Sequence, residues 1–385
     1  MSLRSSAARL AALFLVVLSA TPALAAELTD SAGRRVVVPD RVNRVMAADA
    51  AAEVLVYVLA PDKLVGWVRP PAGELPRHYA HLPVLGWLAG PNPIATAETV
   101  TRVRPDVIID VGPVTPDRAA FADQITQTTG VPYILFDGSF NRTPTVLRTA
   151  GRLLGVAERA DNLADSAEHA INGLRGRLLI QSATDRPRVY YGRGANGLEP
   201  ALPGSLEAAA IENAGAINVA ALPDGQPTIT REQLREWNPG IIIAEERSFY
   251  ETLLRDPAWR DLAAVRAKHV YLEPSQPFGW IDDPPGVNRL IGLYWLSIVL
   301  YPSDTQDDVR SLAQDFYDKF YGVKLSDKAI ETISKTAGIP VSDTPHLADL
   351  PLTGAGTPPP NSGPPGRGGM APLPQTTTPS YLMPK

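Results

Sequence analysis

A pattern that occurs twice constrains this chain more than any other feature. Residues 96–109, Thr-Ala-Glu-Thr-Val-Thr-Arg-Val-Arg-Pro-Asp-Val-Ile-Ile, return 134 positions later at 230–243 as Thr-Arg-Glu-Gln-Leu-Arg-Glu-Trp-Asn-Pro-Gly-Ile-Ile-Ile. Thr, Glu and Pro coincide, and the apolar positions match in kind. In each copy the Thr is placed to cap a helix and the Glu falls in its first turn, where the helix dipole favours a carboxylate. The Pro then ends the helix and leads into a buried strand. Gln233 stands at the capping-box position of the second copy, where the first has Thr99. Two equivalent lobes with a crevice between them are expected, the crevice lined by strand carboxyl ends and helix amino ends.

The rest of the folded region reads as strand, turn and helix in repetition, an α/β chain. Short apolar runs at 42–47, 64–68, 107–111 and 132–136 are strands of the first lobe, residues 26–155, with an Ala-rich helix at 50–60. Residues 156–182 contain no Pro and carry Ala160, Leu163, Ala164, Ala167, Ile171 and Leu174 at helical spacing. They predict one long helix joining the lobes. The second lobe, 183–345, has strands at 188–191, 240–244 and 269–272 and helices at 285–300 and 307–321. The expected architecture is two three-layer αβα lobes with central, mostly parallel sheets, a long rigid connecting helix and a ligand cleft between the lobes.

The two ends differ from this region. Arg4 and Arg9, an apolar run over 10–20 and Ala23-Leu24-Ala25 read as a secretory signal peptide over residues 1–25. Residues 346–385 are expected to be a disordered Pro/Gly-rich tail, since ten Pro and six Gly among the last 35 residues leave no apolar periodicity to bury. With 36 Lys and Arg against 41 Asp and Glu, the net charge of −5 lacks the cationic excess that nucleic-acid binding needs. The absence of Cys excludes disulfides, thiolate metal sites and a Cys nucleophile.

Enzyme motifs do not survive inspection. Gly192-Arg-Gly194-Ala-Asn-Gly197 has dinucleotide-loop spacing, yet Pro200 and Pro203 stand where the phosphate-binding helix would run. There is no P-loop, no G-x-S-x-G and no H-E-x-x-H. Asp282-Asp283-Pro284-Pro285 is expected to start a helix as a capping device. His78 and His81 have the spacing of two imidazoles on one helical turn, but Pro76 and Pro83 bracket them and no third ligand follows. They are weak metal candidates in a solvated loop.

Several segments together resemble a known family, the periplasmic substrate-binding proteins of ABC importers for iron(III)-siderophores and vitamin B12. They are Thr29-Asp30 through Gly33-Arg34 to Pro39, Arg44-Val45 with Leu64-Val65-Gly66, the duplicated Glu-to-Pro segment, and Gly279-Trp280 through Asp282 and Pro284 to Asn288-Arg289-Leu290. The resemblance runs from about residue 27 to 321 and implies a ligand-capturing transport protein that is no enzyme, needs no cofactor and acts as a monomer. It also implies that Glu98 and Glu232 dock onto arginines of the inner-membrane permease subunits. Strand-end positions nominate Trp67, Arg69, Trp87, Tyr191, Arg193, Arg247 and Trp280 as ligand-binding residues, with Asp49, Ala50, Gly112, Asp137 and Glu245 beside them. Aromatic faces and guanidinium forks suit a flat anionic chelate or an oxyanion. The expected ligand is an iron(III)-siderophore-type metal complex, with molybdate, tungstate or cobalamin as alternatives. A secreted metal-dependent hydrolase using His78 and His81 is the competing class.

Overall fold

All but one of the apolar runs identified above become buried strands, and the intervening amphipathic stretches become the helices that cover them. The computed structural model describes residues 26–71, 79, 81–90, 92–178, 186–222, 226–302, 309–336 and 338. The expected signal peptide over 1–25 and the expected tail over 346–385 lie outside the described residues, which all belong to one unit of the chain.

The first lobe opens with an antiparallel ribbon of β1 (Ala26–Thr29) and β2 (Arg35–Val38). Its turn is organised by Asp30, whose carboxylate accepts from the Ala32 and Arg34 amides and pairs with the Arg34 guanidinium at 2.6 Å. Then follow β3 (Val45–Ala47), α1 (Ala50–Leu59), α2 (Ala97–Val103), β4 (Val107–Gly112), α3 (Pro116–Thr129), β5 (Tyr133–Asp137) and α4 (Thr143–Leu153). The sheet order is β3-β4-β5, all parallel, and every residue of β4 is buried, as expected for a strand covered on both faces.

The strand expected at 64–68 is corrected to two single-residue bridges, Leu64 to Val45 and Trp67 to Val84. The reason is local. The carboxylate of Glu53 on α1 takes the Val68 amide, together with that of Arg69, so the segment turns away from the sheet.

The connecting helix, α5 (Ala157–Leu178), packs along α4. The contact is close because Gly151 has no side chain: a Cβ there would lie 2.0 Å from that of Ala160. At 1.5 Å per residue the helix spans about 33 Å, long enough to tie the lobes along one stiff element.

The second lobe comprises β6 (Arg188–Arg193), β7 (Glu199–Pro200), α6 (Ala209–Asn213), β8 (Ile217–Asn218), α7 (Arg231–Trp237), β9 (Ile241–Ala244), α8 (Arg247–Arg255), α9 (Ala263–Arg266) and β10 (Val270–Leu272). Its sheet runs β10-β9-β6-β7, with β8 also on β6. β7 is antiparallel and the other pairings are parallel. Side chains alternate across it: Tyr191, Ile241 and Ile243 enter the large core shared with the first lobe, and Tyr190 and Ile242 enter a second core under α8. The glycine-rich run 192–197 forms the bend from β6 into antiparallel β7, closed by Gly197 N–H donating to the Gly194 carbonyl at 3.0 Å. It is no phosphate loop.

Three helices finish the described chain: α10 (Arg289–Leu300), α11 (Val309–Phe316), which continues through a π turn at Tyr317–Tyr321, and α12 (Asp327–Thr336). The expected start at 285 and the capping role of Asp282 and Asp283 are corrected. Asn288 precedes α10, and its side-chain amide holds the Gly279 and Pro284 carbonyls, so 279–288 stays a loop.

The duplicated segment folds as two matching units. α2 and α7 have seven residues each, begin after Thr96 and Thr230, and end in left-handed residues, Arg104 (φ 53°) and Asn238 (φ 41°). Gln233 and Thr230 exchange both capping-box hydrogen bonds, at 2.8 and 3.2 Å. Thr99 makes a looser version of the same contact, its hydroxyl accepting from the Thr96 amide at 3.4 Å.

Candidate functional site

Parallel strands deliver their last residues to one edge, and in this chain the edges of both sheets turn toward the junction of the lobes. On the first lobe, Asp49 caps α1 through the Ala52 amide (2.8 Å) and pairs with Arg118 at 2.5 Å. Arg118 also grips Asp110, whose second partner is the Tyr133 hydroxyl at 2.7 Å. The guanidinium lies over Gly112, where a Cβ would come within 2.4 Å of it. Two carboxylates thus occupy Arg118. Asp137, the last residue of β5, accepts from the Ser139 hydroxyl at 2.5 Å.

On the second lobe, β6 ends in Arg193, β9 leads to Glu245 and β10 to Glu273. Glu245 accepts from the Gly194 amide at 2.7 Å. Glu273 is buried and accepts from Tyr191 Oη (2.5 Å) and from the amides of Ile281 (2.6 Å) and Asp282 (3.2 Å). It therefore fixes the loop that carries Asp282 and Asp283.

Two of the expected ligand residues meet at that loop from opposite lobes. Arg193 Nε lies 3.0 Å from Asp282 Oδ2, and Arg69 pairs with Asp283. The first contact is an ion pair without an aligned hydrogen bond, and Arg193 Nε is buried with no hydrogen-bond partner. Beside the second lies a cavity of about 180 Å³ lined by Ala50, Glu53, Arg69, Phe278, Asp283 and Pro284. Arg247 is exposed at the start of α8 and lines a separate space of about 130 Å³ with Glu245, Glu273 and α12.

The aromatic nominees are placed differently. Trp67, Tyr191 and Trp280 are core residues, between 1% and 2% exposed. Trp67 donates its indole N–H to the Tyr79 carbonyl (2.9 Å), Trp280 donates to Tyr317 Oη (3.3 Å), and Tyr191 serves Glu273. Tyr191 lies on a sheet covered on both faces, so its ring is enclosed, while Trp67 and Trp280 are packed into the same core from loop segments. Trp87 is half-buried in a loop whose neighbours Leu88 and Ala89 donate to the Ala48 carbonyl. His81 is exposed, His78 lies outside the described residues, and among the described residues no cluster of His and acids could hold a metal ion.

Sequence reasoning missed Arg289 and Glu53. Arg289 is 2% exposed and lies where the lobes touch, donating to the carbonyls of Gly138 (2.7 Å) in the first lobe, Leu206 (3.2 Å) in the second and Gly286 (3.0 Å), with Phe140 beneath it. Burial pushes its guanidinium down to about 10, while the charges of Asp282 and Glu207 oppose that shift. Burial likewise pushes the Glu53 carboxyl up to about 8, with the Val68 and Arg69 amides opposing.

A folded-state value above the ordinary 4.5 means that the native state holds the Glu53 proton more tightly than the unfolded chain. The resulting stabilisation is complete below about pH 4.5 and is lost as pH rises toward 8, at up to about 1.4 kcal/mol per pH unit. Glu53→Gln is expected to remove that part of the slope in urea unfolding measured from pH 5 to 8. An unchanged slope would exclude Glu53 as its source.

Comparison with known proteins agrees with this architecture. Residues 88–277 match a family model described as a periplasmic binding protein. The molybdate-binding protein MolA of Haemophilus influenzae is 27% identical over 325 residues, covering 76% of this chain and 90% of that protein. An ABC transporter solute binding protein from Sulfurospirillum deleyianum superposes with a TM-score of 0.73 at 27% identity, over 80% of this chain and 99% of that one. MolA bound to molybdate superposes with a TM-score of 0.64 at 22% identity, over 78% and 99%. With two α/β lobes, a long connecting helix and these matches, residues 88–277 carry a periplasmic binding protein domain, and the chain is similar over most of its length to solute-binding proteins of ABC transporters rather than to enzymes.

Proposed function

We propose that this chain captures a small oxyanion of the molybdate or tungstate class between its lobes and hands it to an ABC permease at the inner membrane. The observation that carries the reading is the convergence of Arg69 and Arg193, one from each lobe, on consecutive residues of a single loop. A ligand held by both guanidiniums would bridge the lobes. Guanidinium offers a rigid fork of donors matched to an oxyanion, and the cavity beside Arg69 is small. Its volume of about 180 Å³ falls below the roughly 300–1,000 Å³ of sites for drug-sized molecules. Three of the four aromatic residues that would grip a flat ferric chelate, Trp67, Tyr191 and Trp280, are instead enclosed in the core. A relative named for molybdate binding, matched over 90% of its length, supports the same choice.

Export by the signal peptide over 1–25 would place the chain in the periplasm. Among the described residues no helix is long and apolar enough to cross a membrane. Permease docking is assigned to Glu98 and Glu232, both exposed in the first turns of the matched helices α2 and α7. Those helices run back against the parallel strands, so their first turns sit at the strand carboxyl edge of each lobe.

A thermal-shift screen of the purified protein against molybdate, tungstate, a ferric siderophore and cobalamin tests the ligand class, because a ligand that binds only the native state raises its stability. Molybdate or tungstate is expected to raise the melting temperature. Arg193→Ala is expected to weaken that binding by about 1.5–3 kcal/mol, the range for a charged hydrogen bond. A shift with the siderophore and none with either oxyanion would replace the reading.

A further inference from the structure

We infer that Asp282 and Asp283 are internal competitors of the anionic ligand, carboxylates that occupy the two ligand arginines and set how tightly an oxyanion is held. The inference rests on the oxyanion reading above and adds the residues that determine its affinity. Consecutive carboxylates on one loop engage guanidiniums from the two lobes, so the loop occupies the bridging role that a bound oxyanion would fill.

The two contacts are unequal. Arg69 and Asp283 are each nearly half exposed, with side-chain exposures of 47% and 46%. Such a pair is held weakly and exchanges partners readily. Asp282 is 3% exposed and fixed through its amide to Glu273, while Arg193 faces it off the hydrogen-bond direction and keeps its buried Nε–H without an acceptor. A buried donor lacking an acceptor is unfavourable, and an oxyanion oxygen can satisfy it. Arg193 is thus an ion-paired group with a donor left for a ligand, and Arg69 is a group that must exchange its carboxylate for one.

Arg118 supplies the internal contrast. Asp49 and Asp110 both hold it, at 2.5 Å for Asp49, with Tyr133 supporting Asp110, so no donor comparable to Arg193 Nε is left over. Exchange at Arg69 asks for the release of one exposed carboxylate; exchange at Arg118 would ask for the release of two. A binding protein that must also release its cargo gains from the first arrangement, because returning carboxylates displace the ligand when the lobes are disturbed.

The test is a titration of the purified protein with sodium molybdate by calorimetry, using wild type, Asp283→Asn, Arg69→Ala and the double variant. Asp283→Asn keeps the shape of the side chain and removes the competing charge, and is expected to tighten molybdate binding several-fold. The gain should vanish in the Arg69→Ala background, since no guanidinium remains to be freed. Weaker or unchanged binding by Asp283→Asn, with wild type binding normally, would overturn the inference and make Asp283 a positioning residue for Arg69. A gain that persists without Arg69 would also overturn it, as general repulsion of an anion by a nearby acid. Failure of wild type to bind molybdate at all, with the screen positive for another ligand, would overturn the oxyanion reading and this inference with it.

Discussion

Replacing Glu98 and Glu232 together by alanine is expected to abolish transport while leaving ligand affinity within about twofold of wild type. Both side chains are exposed, and the Arg235 guanidinium beside Glu232 is a loose neighbour at 3.6 Å. Each carboxylate stabilises its helix through the dipole by only about 0.3–1 kcal/mol, so the variant should fold. Neither lines the cavity beside Arg69, so capture should persist. Loss of two charged hydrogen bonds at a docking surface, at about 1.5–3 kcal/mol each, would weaken docking by roughly two to four orders of magnitude if the terms add. The single variants should each lose part of the activity, and the glutamine pair should fail like the alanine pair, because it keeps the helix shape and removes the charge. Uptake in a strain lacking the native copy, read beside calorimetry on the same variants, separates docking from capture. Undiminished uptake by the double variant would remove the docking role, and a parallel loss of affinity would move the two residues into the binding function.

The repeat made the architecture readable because its residues act locally. Thr96 and Thr230 cap, Pro105 and Pro239 follow left-handed helix ends, and Val107 and Ile241 start buried strands; each effect is decided within a few residues. The site was less readable because strand phase decides which side chains remain free. Tyr190 and Tyr191 point to opposite faces of the same sheet, and since each face is covered, both are enclosed. Arg193 is identifiable as a strand-end cation and Arg69 as the cation after an apolar run, but their meeting at Asp282 and Asp283 joins positions far apart in the chain. The Asp-Asp-Pro-Pro run looked like a helix start because the capping preference is strong, whereas Glu273 and Asn288 hold the segment as a loop through contacts that local sequence does not display. Glu53 was hidden for a similar reason, lying within an apolar helix while its carboxylate serves the amides of a later turn.

Arg289 illustrates the same limit and supports the largest stability effect. Nothing in Asn288-Arg289-Leu290 signals a buried cation, since its acceptors are backbone carbonyls of residues 138, 206 and 286 that only the folded chain assembles. Among the described residues it has no ion-pair partner, so its positive charge is balanced by carbonyl dipoles, the Phe140 face and the more distant Asp282 and Glu207. Removing it relieves the cost of burying a cation, strands the Gly138 carbonyl at the contact of the lobes, and leaves the Leu206 and Gly286 carbonyls with only the backbone amides of residues 209 and 289, at 3.4 and 3.2 Å. A stranded buried carbonyl costs about 1–3 kcal/mol and the two weakened ones add to that, partly offset by the relief, so Arg289→Met is expected to destabilise the protein by about 1–3 kcal/mol in urea unfolding. Arg289→Lys should recover little, because a compact ammonium cannot present the planar fork that reaches two lobes at once. The Gly138 and Leu206 contacts also hold the lobes at a fixed separation, for a Cβ on Gly138 would already lie 3.1 Å from Leu206 Cδ1. Small-angle scattering of Arg289→Met should therefore show a larger radius of gyration than wild type, under conditions where the variant is still folded. Wild-type stability together with wild-type dimensions would mean that the guanidinium is not what fixes the gap between the lobes.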